Sequence, residues 1–154
     1  MRRTSFIMIL TFVSMLLCSA SSCDKNDSET KNNTPMPNRK VKITANSQTF
    51  TATLYDNATA KVFQEMLPLT INMIELNGNE KYYDLPNSLP TNSSNPATIQ
   101  NGDLMLYGSQ TLVLFYKSFS TSYSYTRLGK VDDVTGLDSA LDSGNITVTF
   151  EMEK

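Results

Sequence analysis

The chain has 154 residues, 40% hydrophobic and 18% charged, enough for one domain with its own core and too few for two. A formal charge of -2 does not supply the clustered positive surface that releases counterions from nucleic acid, so no nucleic-acid partner is expected. There is no histidine, and both cysteines, Cys18 and Cys23, lie near the start; this excludes Ser-His and Cys-His catalysis, and a disulfide or Cys-based zinc site in the folded part, with no metal or cofactor expected.

Arg2 and Arg3 precede the apolar stretch Phe6 to Cys18, and the small residues Ala20, Ser21 and Ser22 lead to Cys23, the order of a secretory leader. The apolar stretch is shorter than the roughly 20 residues of a membrane-spanning helix. Ala20-Ser21-Ser22-Cys23 resembles a bacterial lipobox, with Ala20 where Leu is more usual. The resemblance implies a signal peptide over 1–22 and a lipid on Cys23; an ordinary cleaved signal with a free Cys23 is the alternative. Residues 23–38 are polar, with Met36 the lone aliphatic side chain after Cys23, and read as a flexible tether. The acidic Asp24 is similar to sorting signals in lipoproteins of the Bacteroides group. The expected address is the cell envelope, at the outer membrane and facing either side, with the lipid as the only membrane attachment.

From Arg39 onward short alternating runs dominate. Val41, Ile43 and Ala45 alternate with Lys42 and Thr44, Asn46-Ser47 punctuates, and Phe50, Ala52 and Leu54 alternate with threonines, which predicts a hairpin. Asp56 is placed as the N-cap of a helix of about three turns, carrying Ala58, Val62, Phe63, Met66 and Leu67 and stopped by Pro68. Leu69 to Leu76 follows as a strand, ended by Asn77-Gly78, a pair suited to positive φ. Tyr82 to Pro90 reads as irregular, with Asp84 accepting backbone donors in a proline-containing turn, and Thr91 to Asn101 as a polar loop. Gly102-Asp103 reopens a strand over Leu104 to Tyr107, and Gly108 to Gln110 turns it into Thr111 to Tyr116. Leu112 to Phe115 is unbroken apolar, the mark of a strand buried on both faces. A short helix around Thr135 to Leu141 is ended by Gly144, and Ile146, Val148 and Phe150 alternate in a closing strand. Many short strands with one good helix predict a small β-barrel or a compact α+β domain.

The stretch Leu112 to Arg127, LVLFYKSFSTSYSYTR, changes from core to an aromatic, hydroxyl-rich run without an acidic residue. Phe115, Tyr116, Lys117, Phe119, Ser120, Tyr123, Tyr125 and Arg127 combine aromatic faces with short hydrogen-bonding groups, a mixture suited to a peptide or glycan ligand. Lys117 and Arg127 would favour an acidic group on that ligand. The competing reading is packing, with Phe115 and Phe119 in the core and the tyrosines capping it.

Three segments carry a resemblance: LPLTINMIELNGNEKYYDLPNSLP at Leu67 to Pro90, NGDLMLYGSQTLVLFYKSFSTSYSYTRLGKVDD at Asn101 to Asp133, and SGNITVTFE at Ser143 to Glu151. Over Val41 to Glu151 the sequence resembles the bacterial cyclophilin-like domain family, as found in lipoproteins of the Bacteroides type. This implies a mainly β domain over 39–154, a cyclophilin-like closed antiparallel barrel of about eight strands with one or two short helices covering its ends. True cyclophilins are peptidyl-prolyl isomerases with a Phe-His-Arg motif whose Arg polarises the prolyl nitrogen; the motif is absent here. The folded part holds two arginines, Arg39 and Arg127, and Arg127 is the candidate for that role. Isomerisation needs a proline pocket and a donor rather than a base, to lower an amide barrier of about 18–20 kcal/mol. Two functions therefore stand: a non-enzymatic binding or accessory module of the cell envelope, and a prolyl isomerase with a non-standard site around Arg127.

Overall fold

The computed structural model describes residues 39–142 and 144–154. The leader expected over 1–22, the tether expected over 23–38 and Cys23 lie outside the described residues. In chain order the elements are β1 (Lys40–Ala45), β2 (Gln48–Leu54), α1 (Ala58–Glu65), β3 (Leu69–Leu76), β4 (Glu80–Asp84), β5 (Thr98–Ile99), β6 (Asp103–Tyr107), β7 (Thr111–Phe115), β8 (Phe119–Ser120), β9 (Tyr125–Val131), α2 (Leu137–Leu141) and β10 (Ile146–Met152). Eight strands close into an antiparallel barrel in the order β1-β10-β3-β4-β7-β6-β9-β2, while β5 and β8 pair as a separate ribbon. The expected mainly β, closed eight-stranded architecture with two short helices is the one observed.

The first hairpin forms as its alternation dictates. Val41 and Ile43 sit opposite Ala52 and Phe50, all buried, and Asn46 and Ser47 turn the chain with φ of 47° and 65°. Asn77 and Gly78 make the equivalent turn between β3 and β4, with φ of 56° and 68°. Closure elsewhere depends on Gly129: a Cβ there would lie 2.7 Å from the Thr53 carbonyl oxygen and 3.1 Å from Leu54 Cα, so only glycine lets β9 meet β2 this closely.

Three local expectations are corrected. The N-cap of α1 is Asn57, not Asp56: Asn57 Oδ1 accepts from the Ala60 amide at 2.8 Å, and Asp56 pairs with Lys61 at 3.1 Å instead. Asn57 wins because its Nδ2 also donates to the Arg127 carbonyl at 2.8 Å, which ties the cap to β9. Tyr82 to Asp84 is not irregular but part of β4, and Asp84 accepts from the Thr111 hydroxyl at 2.7 Å across the sheet rather than from turn amides. The polar loop after Pro90 contains β5, whose Ile99 is fully buried.

The larger core fills the barrel. Phe63 of α1 meets Phe150 edge-on at 5.8 Å where β2 ends and β3 begins. At the β1–β2 turn, Asn46 Nδ2 donates to the Ala140 carbonyl of α2 at 3.0 Å, over buried Leu137 and Leu141. A second, smaller core lies on the outside of the wall: Met105, Val113, Phe115 and Tyr125, covered by Ile99 of β5 and Phe119 of β8. Along β7, Leu112 and Leu114 belong to the inner core and Val113 and Phe115 to the outer one, so this strand is buried on both faces as its unbroken apolar run predicts.

Candidate functional site

The outer core is capped over only part of its length, and the uncapped part is a groove of about 560 Å³. Its floor is the outward face of β4 (Glu80, Tyr82, Asp84), with Val113 of β7 and Tyr107 of β6; its far side is the strap Phe119 to Tyr125. Period-two alternation places Glu80, Tyr82 and Asp84 together on one face, while Lys81 and Tyr83 point inward.

The strap is anchored from behind by residues 94–99. Thr98 and Ile99 pair with Ser120 and Phe119, the Thr121 amide donates to Ala97 O at 2.9 Å, and Asn95 Nδ2 donates to Ser122 O at 3.0 Å. Ser94 and Tyr125 exchange backbone hydrogen bonds at 3.0 Å in both directions. Ala97 holds a φ of 61°, a left-handed conformation costing an alanine about 1–2 kcal/mol; its amide is fixed by Asn95 Oδ1 at 2.6 Å. The strain sits where the strap is fastened.

Five aromatic rings run through this region without a break. Tyr123 meets Tyr107 at 6.0 Å, Tyr107 meets Tyr125 at 5.6 Å, Tyr125 meets Phe115 edge-on at 5.5 Å, and Phe115 meets Phe119 at 5.7 Å. The buried end anchors the ladder and the other end is open: Tyr107 and Tyr123 are 45% and 60% exposed. Leu76 on the opposite rim is 40% exposed, and Ile74, 39% exposed, sits across from groove-lining Tyr82.

The charge of the groove is negative. Glu80 and Asp84 line it, and among the described residues no lysine or arginine does. Burial, and then the charge of Glu75, push the Glu80 carboxyl above its ordinary range. Burial and Glu80 likewise raise the Tyr125 hydroxyl. On the inner side of the same wall, Lys81 is fully buried and forms an ion pair with Glu75, donates to the Gly144 carbonyl at 2.5 Å and lies 5.4 Å from the Tyr116 ring. The Tyr116 hydroxyl donates to Glu75 at 2.9–3.0 Å, and the Gly78 amide donates to the same carboxylate at 2.7 Å. Burial alone would raise Glu75, but the hydrogen bonds from Lys81, Tyr116 and Gly78 hold it below the ordinary carboxylate range.

The structure divides the site residues expected from the sequence. Phe119, Ser120, Tyr123 and Tyr125 line the groove, and Phe115 supports it from beneath. Tyr116 faces the barrel interior. Lys117 is exposed beside Asp142 at 3.9 Å, and Arg127 is exposed on β9 opposite Met105; neither lines the groove. The two cations expected to favour an acidic ligand are therefore not among the lining residues, and the charged side chains that are, Glu80 and Asp84, are carboxylates. Sequence reading missed Glu80, Tyr82, Asp84 and Tyr107, and the signal available for three of them was the alternation of EKYYD, set aside in favour of the prolines that follow. Among the described residues, no group of three or more Asp, Glu, His or Cys side chains is placed to hold a metal ion.

A family model described as the cyclophilin-like family matches residues 43–151, most of the chain, and the chain belongs to that family. The solution structure of a hypothetical protein from Archaeoglobus fulgidus is similar over 75% of this chain and 95% of its own, with a TM-score of 0.58 at 15% identity, a likeness of fold. No curated protein matches the chain.

Proposed function

We propose that this cyclophilin-like domain is a binding module of the cell envelope, exported and held at the outer membrane by a lipid on Cys23, with the groove outside β4, β7 and β6 as its ligand site. One observation carries the reading of the groove: three large exposed apolar or aromatic side chains, Leu76, Tyr107 and Tyr123, converge on one concavity, and Ile74 adjoins it. Exposed apolar surface gathered in a cleft with a few polar groups is the usual form of a ligand site, and its volume falls within the range of about 300–1,000 Å³ such sites occupy. A peptide or glycan with an apolar face suits it. The isomerase reading lacks its donor, since Arg127 is not among the groove's lining residues.

Export and anchoring rest on the order Arg2-Arg3, apolar stretch, small residues, Cys23. Fractionation tests them: Cys23→Ser should release the protein from membranes, and retention there would contradict the lipid anchor. The groove is tested by a thermal-shift screen against peptides and glycans, in which a ligand at 100 times its Kd adds about 2.7 kcal/mol. Tyr107→Ala and Tyr123→Ala should abolish any shift found; a shift that survives both places the ligand elsewhere.

A further inference from the structure

We propose that the groove takes a ligand carrying an ammonium or guanidinium group beside an apolar surface; this deepens the preceding reading and rests on it. Glu80 and Asp84 stand at outward positions on one strand with Tyr82 between them. At the rise of a strand their Cα atoms are about 13 Å apart, so the two carboxylates put negative charge on either side of Tyr82 along the groove floor. Tyr107 and Tyr123, the exposed rings of the ladder, supply aromatic surface for the apolar part and for cation–π contact.

The state of the two carboxylates narrows the choice. Asp84 already accepts the Thr111 hydroxyl. Glu80 is part-buried and, among the described residues, has no hydrogen-bond or ion-pair partner. A desolvated carboxylate without a partner is unfavourable until a cation meets it. The nearby lysines do not supply that cation: Lys81 faces inward to Glu75 and Lys117 stands beside Asp142. An acidic ligand would meet two like charges, and a neutral one would leave Glu80 unpaired in a still drier site.

The test is titration calorimetry on the full-length protein with acetyl-Leu-Arg-Leu-amide, its neutral citrulline isostere, the Glu counterpart, phenylguanidine and maltotriose. The arginine peptide, phenylguanidine or both should bind, the arginine peptide about tenfold more tightly than its citrulline isostere. A response to phenylguanidine alone assigns the site to free small cations, and a response to the peptide assigns it to basic side chains; both uphold the proposal. The preference should vanish in the isosteric double variant Glu80→Gln/Asp84→Asn, with circular dichroism showing the fold intact. Equal binding of arginine and citrulline peptides, or a preference that survives both neutralisations, would overturn the cationic ligand. If maltotriose or the uncharged or acidic peptide then binds and Tyr107→Ala removes it, the groove stands with different chemistry. If nothing binds, both readings fall.

Discussion

Leu112 and Leu114 point into the barrel and Val113 and Phe115 point out of it, yet all four are equally lost to solvent. What covers them differs. The inner pair is buried by closure of the barrel, a surface of paired strands on every side. The outer pair is buried by two dipeptide strands, β5 and β8, with the strap that follows. A cover this small cannot reach the whole wall, and where it stops, at Tyr107, Tyr82 and Leu76, the groove begins. The inner core thus keeps the fold, whereas the outer core holds the strap at the edge of an open site.

The sharpest way to break this contrast is inside. Lys81→Ala empties a fully buried position and leaves Glu75, whose side chain is 25% exposed, without its cation; the cavity and the lost pair together should cost about 3–5 kcal/mol. Urea unfolding should show that loss; a cost below about 1 kcal/mol would mean that the pair contributes as little as a surface ion pair.

Next come the two faces of the wall. Leu114→Ala should cost about 2–5 kcal/mol by leaving a cavity that the closed barrel cannot collapse. Phe119→Ala removes a partly buried ring packed against Phe115 at 5.7 Å, and should cost about 1–2 kcal/mol. The discriminating measurement is hydrogen exchange at the Thr121 and Tyr125 amides, which are held by Ala97 and Ser94. Phe119→Ala should speed exchange there more than its global loss explains, and Leu114→Ala should not. Equal effects would show one cooperative unit rather than two cores.

The ease of reading these two regions from sequence also differs, for the same physical reason. Inner positions of β1, β2 and β10 alternate cleanly because water lies on their other side, and β7 is unbroken because both sides are covered. The strand β4 was missed because its inward residues are Lys81 and Tyr83, which carry no apolar signal until Glu75 is known to sit opposite Lys81. The strand β9 went unassigned because Arg127, Gly129 and Lys130 interrupt its apolar positions and its pairing with β6 shifts register between Leu104 and Met105. Phe119, Tyr123 and Tyr125 were legible as candidates because aromatics among hydroxyls are unusual. Their acidic partners were not, since Glu80 lies 39 residues before Phe119 and only pairing brings β4 beside β7.

Titration separates the regions by sign. Glu75, on the inner side, titrates below the ordinary value of 4.5, so its ionised form stabilises the fold above that pH and the stabilisation is lost as pH falls through the folded value. Glu75→Gln should therefore be less stable than the native chain at pH 7 and lose less on acidification, with Asp132, also held low by Lys40 and Thr53, keeping a residual slope. Parallel urea midpoints for the two proteins from pH 7 to pH 3 would contradict the assignment.

Glu80, on the outer side, should do the reverse, with the smallest effect. Its folded carboxyl titrates above 4.5, so folding opposes its ionisation and it detracts from stability once pH rises through the unfolded and then the folded value. The burial of Glu80 sets this first and the charge of Glu75 second. Glu80→Gln keeps the shape and removes the charge, and should raise stability at pH 7 by less than about 1 kcal/mol. The gain should disappear below pH 4, where native Glu80 is protonated in both states. A loss of stability at pH 7 would mean that Glu80 is held by a partner within the fold. A gain, coupled to loss of the arginine-peptide preference, would mean that this carboxylate stays unpaired in the free protein because its partner is the ligand.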